Sequence, residues 1–427
     1  MPQMCYTETE KSVEGKNGMK NGFFRMLGLL LALLLLTACG RMDGEESSDA
    51  GAFSHREEQK TDLYSLSFPL ESFTSLTTQE LLARGSKENE VYDEVLFNFL
   101  DTPLCIYGKR YHLEDDSGHT RYFVYDKRTG IFSDACHDPL CDHTTCLWGT
   151  VNGAYNIYRG ANGLFFVCED TQDDPAAGRQ GRTQIYATDF LGDHAEQIFE
   201  TAGRVLDLKQ LGKQLWFSLI TWDEEKEEDL TEVIRLNMET GRAETVLRSD
   251  RELVGTFFPL ETVVLYQRER LDENGIPVGL EPSVYLRDPE SGSDELFLQE
   301  EQSYTYIVGL YDDVLYYSRY DQETQQSTLY CRRDGGRGEE EVTEVSNSGA
   351  INWSADGIYH WERTEGGGIL YRENKEPYTL DVGYGDDGYL LDGDLFLYCY
   401  SVRATKAIHY WLMIDLKTGE RLEVELP

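Results

Sequence analysis

LGKQLWFS (residues 211–218) and EVIRLNMETG (residues 232–241) form a pair that recurs down the chain. The first piece is a polar turn followed by a strand rich in Leu, Phe and Trp. The second is a strand ending in a charged turn closed by Gly. Asn237 and Thr240 can bond their own backbone, and Gly241 can take the positive φ that closes a hairpin. The first piece recurs as YGKRYHL (from Tyr107), ANGLFFVC (Ala161), LETVVLY (Leu260), YDDVLYYS (Tyr311), ADGIYHW (Ala355) and DGDLFLYC (Asp392). The second recurs as YFVYDKRTG (Tyr122), TQIYATDFLG (Thr183), SVYLRDPESG (Ser283), TLYCRRDGG (Thr328), GILYRENKE (Gly368) and WLMIDLKTG (Trp411). Taking Tyr111, Leu164, Leu215, Val264, Leu315, Ile358 and Leu395 as equivalent, the unit repeats every 37 to 53 residues. A further short strand follows several of the closing turns, as in GRAETVL (from Gly241) and GERLEVEL (from Gly419). Seven copies with room for four strands each predict an all-β fold, a β-propeller of seven blades, with six or eight as the neighbouring counts. A β-sandwich would not need seven matched pairs.

Composition agrees. The 427 residues include 27 Tyr, 18 Phe and 6 Trp, which suit a pleated, half-buried surface, and 39 Gly against 11 Pro, which suit many tight turns. The formal net charge is -39, a surface that repels nucleic acid and suits solubility outside the cell.

The N-terminal region reads as an address. MLGLLLALLLLTA (Met26 to Ala38) is apolar but too short to span a bilayer, and Lys20 and Arg25 precede it. Leu36-Thr37-Ala38-Cys39 resembles the lipobox of bacterial lipoproteins, which implies acylation of Cys39 and anchoring to the outer face of a membrane. The first 18 residues look unlike a signal start, and Met19 is the better candidate for it. The chain then divides into a signal (1–38), a lipidated Cys39 with a polar tether (39–60), an N-terminal extension (61–94) and the propeller (95–427). Within the extension, TDLYSLSFPLESF (61–73) can add a strand or wrap the outside. TTQELLARG (77–85) predicts a short helix capped by Thr77 or Thr78. VLFNFL (95–100) predicts the first propeller strand.

CHDPLCDHTTC (136–146) concentrates metal-ligating residues. On the repeat it is a long connection from the outer strand of the first blade to the inner strand of the second, YNIYRG (155–160). Cys136, Cys141, His143 and Cys146 are a sufficient set for tetrahedral zinc, provided that Pro139 and Asp142 turn the backbone so that all four converge. The spacing departs from paired Cys-x-x-Cys. A disulfide is the alternative, since export permits one, and reduced structural thiols are a third. Without Cys39 the mature chain keeps seven cysteines, an odd number. Cys168, Cys331 and Cys399 fall in strand patterns as small buried hydrophobes, which leaves Cys105 as an additional partner for the cluster.

The string C-x-D-P-L-C-x-H followed by a third Cys, preceded by the Tyr125 to Gly130 turn, is similar to a segment of predicted β-propeller lipoproteins of Gram-positive anaerobes. The resemblance implies an exported propeller. It carries no activity, and an anaerobic setting favours metal or free thiols over a disulfide.

Catalytic signatures are thin. There is no His-Glu-x-x-His, Gly-x-Ser-x-Gly or phosphate-binding glycine loop. SADGIYHW (354–361) reads as a hairpin turn. Asp386, Asp387, Asp392 and Asp394 read as solvated turn carboxylates, with calcium as the alternative. Trp216, Tyr316, Tyr317, Tyr359 and Trp361 read mostly as core between blades, with stacking on a sugar or gripping a peptide at the channel mouth as the alternative for a few. The pattern points to a membrane-anchored binding or scaffold module for an extracellular peptide, protein or glycan, without nucleic acid. The alternatives are a polysaccharide hydrolase or lyase using channel carboxylates, and a zinc sensor or relay built on the 136–146 loop.

Overall fold

A computed structural model describes residues 66–426, apart from 71–72, 74, 85–90, 93–98, 112–119, 139–140, 142–145, 149–153, 171–181 and short stretches in the later connections. Cys39, the signal and the tether therefore lie outside the described residues. Residues 61–427 form one compact unit.

The described residues form seven antiparallel sheets arranged as the blades of a β-propeller. In the first blade the strands run outward from Phe99–Asp101 through Cys105–Tyr111 and Thr120–Asp126 to Ile131–Asp134. The others occupy residues 154–202, 204–249, 253–299, 304–345, 350–381 and 385–426. Each is a meander, so every strand pairs with its sequence neighbour and the ladder closes locally.

One turn chemistry recurs between the third and fourth strands. Asp126, Asn237, Asp288 and Asp415 each accept an N–H two residues on at their side-chain oxygen, at 2.8 to 3.0 Å. Each also accepts, at the backbone carbonyl, the N–H of the glycine four residues on, at 2.8 Å. Those glycines, Gly130, Gly241, Gly292 and Gly419, have φ between 66° and 75°, where a Cβ is strained.

Large aromatics fill the seams between blades. Trp361 packs on Phe396 and Tyr398 between the last two blades. Trp411 joins the last blade to the first, with ring centroids 4.5 Å from both Phe99 and Phe123. The ring is closed there by side-chain packing: each of these two blades takes its four core strands from its own stretch of chain.

The first repeat is out of register with the expectation. Its second strand is Cys105–Tyr111, so Tyr111 ends the strand where Leu164 and Val264 begin theirs. Gly108 lies in mid-strand because Trp411 packs against it. A Cβ there would fall 2.2 Å from the Trp411 ring.

The N-terminal extension is tied into the propeller at two places. Leu66–Ser67 pairs with Ile131 and Phe132 on the outer edge of the first blade. The Tyr125 hydroxyl fixes this segment by donating to the Phe68 carbonyl at 2.9 Å. The helix Thr78–Arg84 follows, with Thr77 and Glu80 exchanging hydrogen bonds in a capping box. Val91–Tyr92 then pairs with Gln210 and Leu211 on the inner edge of the third blade. Under the extension, Lys127 is buried and donates to the Asp101 carboxylate at 2.6 Å and the Thr102 carbonyl at 2.7 Å, with the Phe73 ring 5.3 Å from its Nζ.

Candidate metal centre

The 136–146 loop leaves the outermost strand of the first blade at Asp134 and leads to the innermost strand of the second, Ala154–Arg159. It therefore lies at the mouth bearing the second-to-third strand connections. Val91–Tyr92 pairs at the opposite end, beside the Leu211–Gln214 hairpin.

Both ends of the loop are anchored. Ala135 is buried and its N–H donates to the Tyr122 carbonyl at 3.0 Å. Trp148, 8% exposed, stacks on Tyr107 of the first blade at 5.1 Å and meets the Phe166 ring of the second edge-on at 4.8 Å. Gly192 is required beneath it, since a Cβ there would sit 2.5 Å from the indole. The Tyr107 hydroxyl donates to the Phe190 carbonyl at 2.6 Å and fastens the same seam.

Between the anchors the chain reverses. The Cys141 N–H donates to the Asp138 carbonyl at 3.1 Å, a turn that returns the second cysteine to the first. The sulfurs of Cys136, Cys141 and Cys146 all lie within 4.8 Å of one another. Each residue is half-buried, none of the three is in a disulfide, and Cys136 and Cys146 pack against the core shared by the first two blades. A tetrahedral zinc thiolate site has sulfurs about 3.8 Å apart, so the triad fits an ion of this size after shifts of about 1 Å.

Burial governs the thiols. It raises Cys136, with the Cys141 thiol adding to the rise. It pushes Cys146 up to about 12, helped by the hydrogen bond with Cys141 and by the charge of Cys136. Zinc binds the thiolate form of cysteine, so a bound cation displaces the thiol protons. Three thiolates form a soft donor set, suited to zinc among the common divalent ions. His143 lies outside the described residues.

Cys105 does not join the triad. It is fully buried at the start of its strand, at the end of the blade remote from Asp134. Its N–H donates to Thr102 Oγ1 at 2.9 Å, and burial pushes its thiol up to about 12. Cys168 and Cys331 are buried in strands, and Cys399 is half-buried in one. Trp216, Tyr316, Tyr317, Tyr359 and Trp361 are all buried. Ser354 and Gly357 pair across a hairpin end. Asp386 and Asp387 fall in the strand Gly385–Leu391, whereas Asp392 and Asp394 lie outside the described residues.

No protein-family model matches the chain, and no curated protein sequence does either. Among solved structures it is similar to the β-propeller domain of the Trilobed protease from Pyrococcus furiosus, described as having an open velcro topology. The TM-score is 0.50 at 12% identity, over 78% of this chain and 97% of that one. It is also similar to an acylaminoacyl peptidase from Pyrococcus horikoshii, with a TM-score of 0.50 at 10% identity over 80% of this chain. The chain spans about half the length of that peptidase, 53%. At such identities the likeness carries the propeller fold and nothing of the chemistry.

Proposed function

We propose that the protein is a lipid-anchored, extracellular binding module. Cys39 carries the lipid, and an extracellular peptide, protein or glycan docks at the mouth bearing the 135–148 loop. A zinc ion held by Cys136, Cys141 and Cys146 orders that loop, with His143 as the sequence's candidate for the fourth ligand. The observation that supports this reading most is the convergence of three half-buried sulfurs within 4.8 Å on a loop anchored at both ends. Clustered thiols offer an ion what a single exposed cysteine does not, and a bound ion fixes the backbone between its ligands.

The test uses the mature chain with Cys39→Ser, purified under reductant without chelator. The wild-type triad should carry one zinc per chain and give saturable signals on peptide and glycan arrays. A triple Cys→Ser variant of the triad, folded by circular dichroism, should lose the zinc and those signals. Array binding unchanged in that variant would remove the loop from the binding surface. Anchoring is tested separately in cells: Cys39→Ser should move the protein from the membrane fraction to the medium.

A further inference from the structure

The triad holds one sulfur more than a disulfide uses and one ligand fewer than a tetrahedral site of thiolates alone. Its sulfurs lie within 4.8 Å of one another, whereas a disulfide needs about 2.05 Å, so closing a bond takes a relative shift of up to about 2.8 Å. Cys136 follows the anchored Ala135, and Cys146 precedes the stacked Trp148. Cys141 lies midway between those anchors, on the turn at Asp138. All three residues are half-buried, as is Cys399 in its strand, whereas Cys105, Cys168 and Cys331 are buried.

We infer that the triad is a site of reversible oxidation, in which a small-molecule disulfide joins two of the three sulfurs and so dismantles the metal site. The metal half of this inference rests on the zinc reading above; the thiol chemistry does not. One triad thiolate attacks a sulfur of the small disulfide, RS–SR. A mixed Cys–S–SR bond forms, and RS⁻ leaves and takes up a proton. A second triad thiolate attacks the cysteine sulfur of that bond. The Cys–S–S–Cys bond forms and a second RS⁻ leaves and is protonated. Two cysteines are oxidised and one small disulfide is reduced to two thiols. Starting from the zinc-bound triad, the third cysteine also takes up a proton and Zn²⁺ departs, so three protons are consumed. The odd count leaves a resident thiol beside the new bond. A reducing thiol reverses the exchange and restores all three ligands.

The chain is convenient for the measurement, because the tryptic peptide spanning residues 129–159 contains these three cysteines and no internal Lys or Arg. The mature protein with Cys39→Ser is incubated with oxidised or reduced glutathione, desalted, denatured, alkylated and digested. Zinc is read in parallel with a chromophoric chelator. The expected result is three alkyl groups on peptide 129–159 after reduced glutathione and one after oxidised glutathione. Zinc should be present in the first sample and free in the second. The alkylation of Cys105, Cys168 and Cys331 should not change. Three alkyl groups in both samples would overturn the inference, as would one alkyl group with zinc still bound. Absence of zinc from the reduced sample would instead overturn the zinc reading, and it is recognisable because the alkyl count does not depend on metal.

Discussion

Trp411→Ala tests how the ring is closed. The indole is 1% exposed and its ring lies 4.5 Å from Phe99 and Phe123 and 5.7 Å from Phe132, all three on the first blade. The neighbouring backbone is shaped to it, since Gly108 leaves the space where a Cβ would lie 2.2 Å from the ring. Truncating a buried Trp to Ala costs about 3–5 kcal/mol, and the aromatic pairs place this residue at the upper end of that range. Among the described residues no strand is shared between the first and last blades, so the loss falls on the contact that closes the ring. The assay is urea unfolding of the mature chain, followed by tryptophan fluorescence and circular dichroism. Trp222→Ala serves as control, because Trp222 is 48% exposed and its truncation should change stability by no more than about 0.5 kcal/mol. Equal effects for the two variants, or a Trp411→Ala cost below about 1 kcal/mol, would refute closure of the ring by this wedge.

Lys127→Met should cost about 3–5 kcal/mol, because it strands the buried Asp101 carboxylate without its ammonium. The double variant Lys127→Met, Asp101→Leu should recover part of that loss in the same unfolding assay. Gly241→Ala places a Cβ in open space at φ 67° and should cost about 1 kcal/mol from backbone strain alone. Gly130→Ala adds a collision 2.5 Å from the Pro69 backbone, so it should cost about 2 kcal/mol or more and loosen the Leu66–Ser67 strand in hydrogen exchange. His194 should titrate above the ordinary histidine range by NMR, because Asp189 accepts its ring hydrogen bond at 3.0 Å, and Asp189→Asn should return it. The sign follows from a raised value in the folded state. The stabilisation is full below the unfolded value and fades as pH rises through the folded one.

Much of the architecture was legible because it is built from local chemistry that recurs from blade to blade, with one turn shared by four of the seven. The Asp or Asn that opens a turn and the Gly that closes it are four residues apart, well inside the range that a sequence displays. The first blade misled for a physical reason. Its first hairpin turns at Asp101 to Leu104 without a glycine, and the nearby Gly108 answers to Trp411 instead, which is remote in sequence. The strands Leu66–Ser67 and Val91–Tyr92 are too short to carry a period of two, so nothing in the residues shows where they dock. The Lys127–Asp101 pair likewise joins two turns of one blade across 26 residues. At the candidate metal centre the cysteine spacing announced a cluster, but an extended backbone would have set Cys136 and Cys141 on opposite faces. Pro139 and Asp142 signalled that the backbone could turn here, but the Asp138–Cys141 hydrogen bond that makes the turn is visible only in the structure.

The most direct measurement is a crystal structure of the reduced protein with anomalous data collected across the zinc edge. One zinc peak is expected about 2.3 Å from the sulfurs of Cys136, Cys141 and Cys146, on a seven-bladed ring closed by Trp411. Three reduced sulfurs facing apart with no anomalous peak between them, or two of them bonded at about 2.05 Å under reductant, would contradict it.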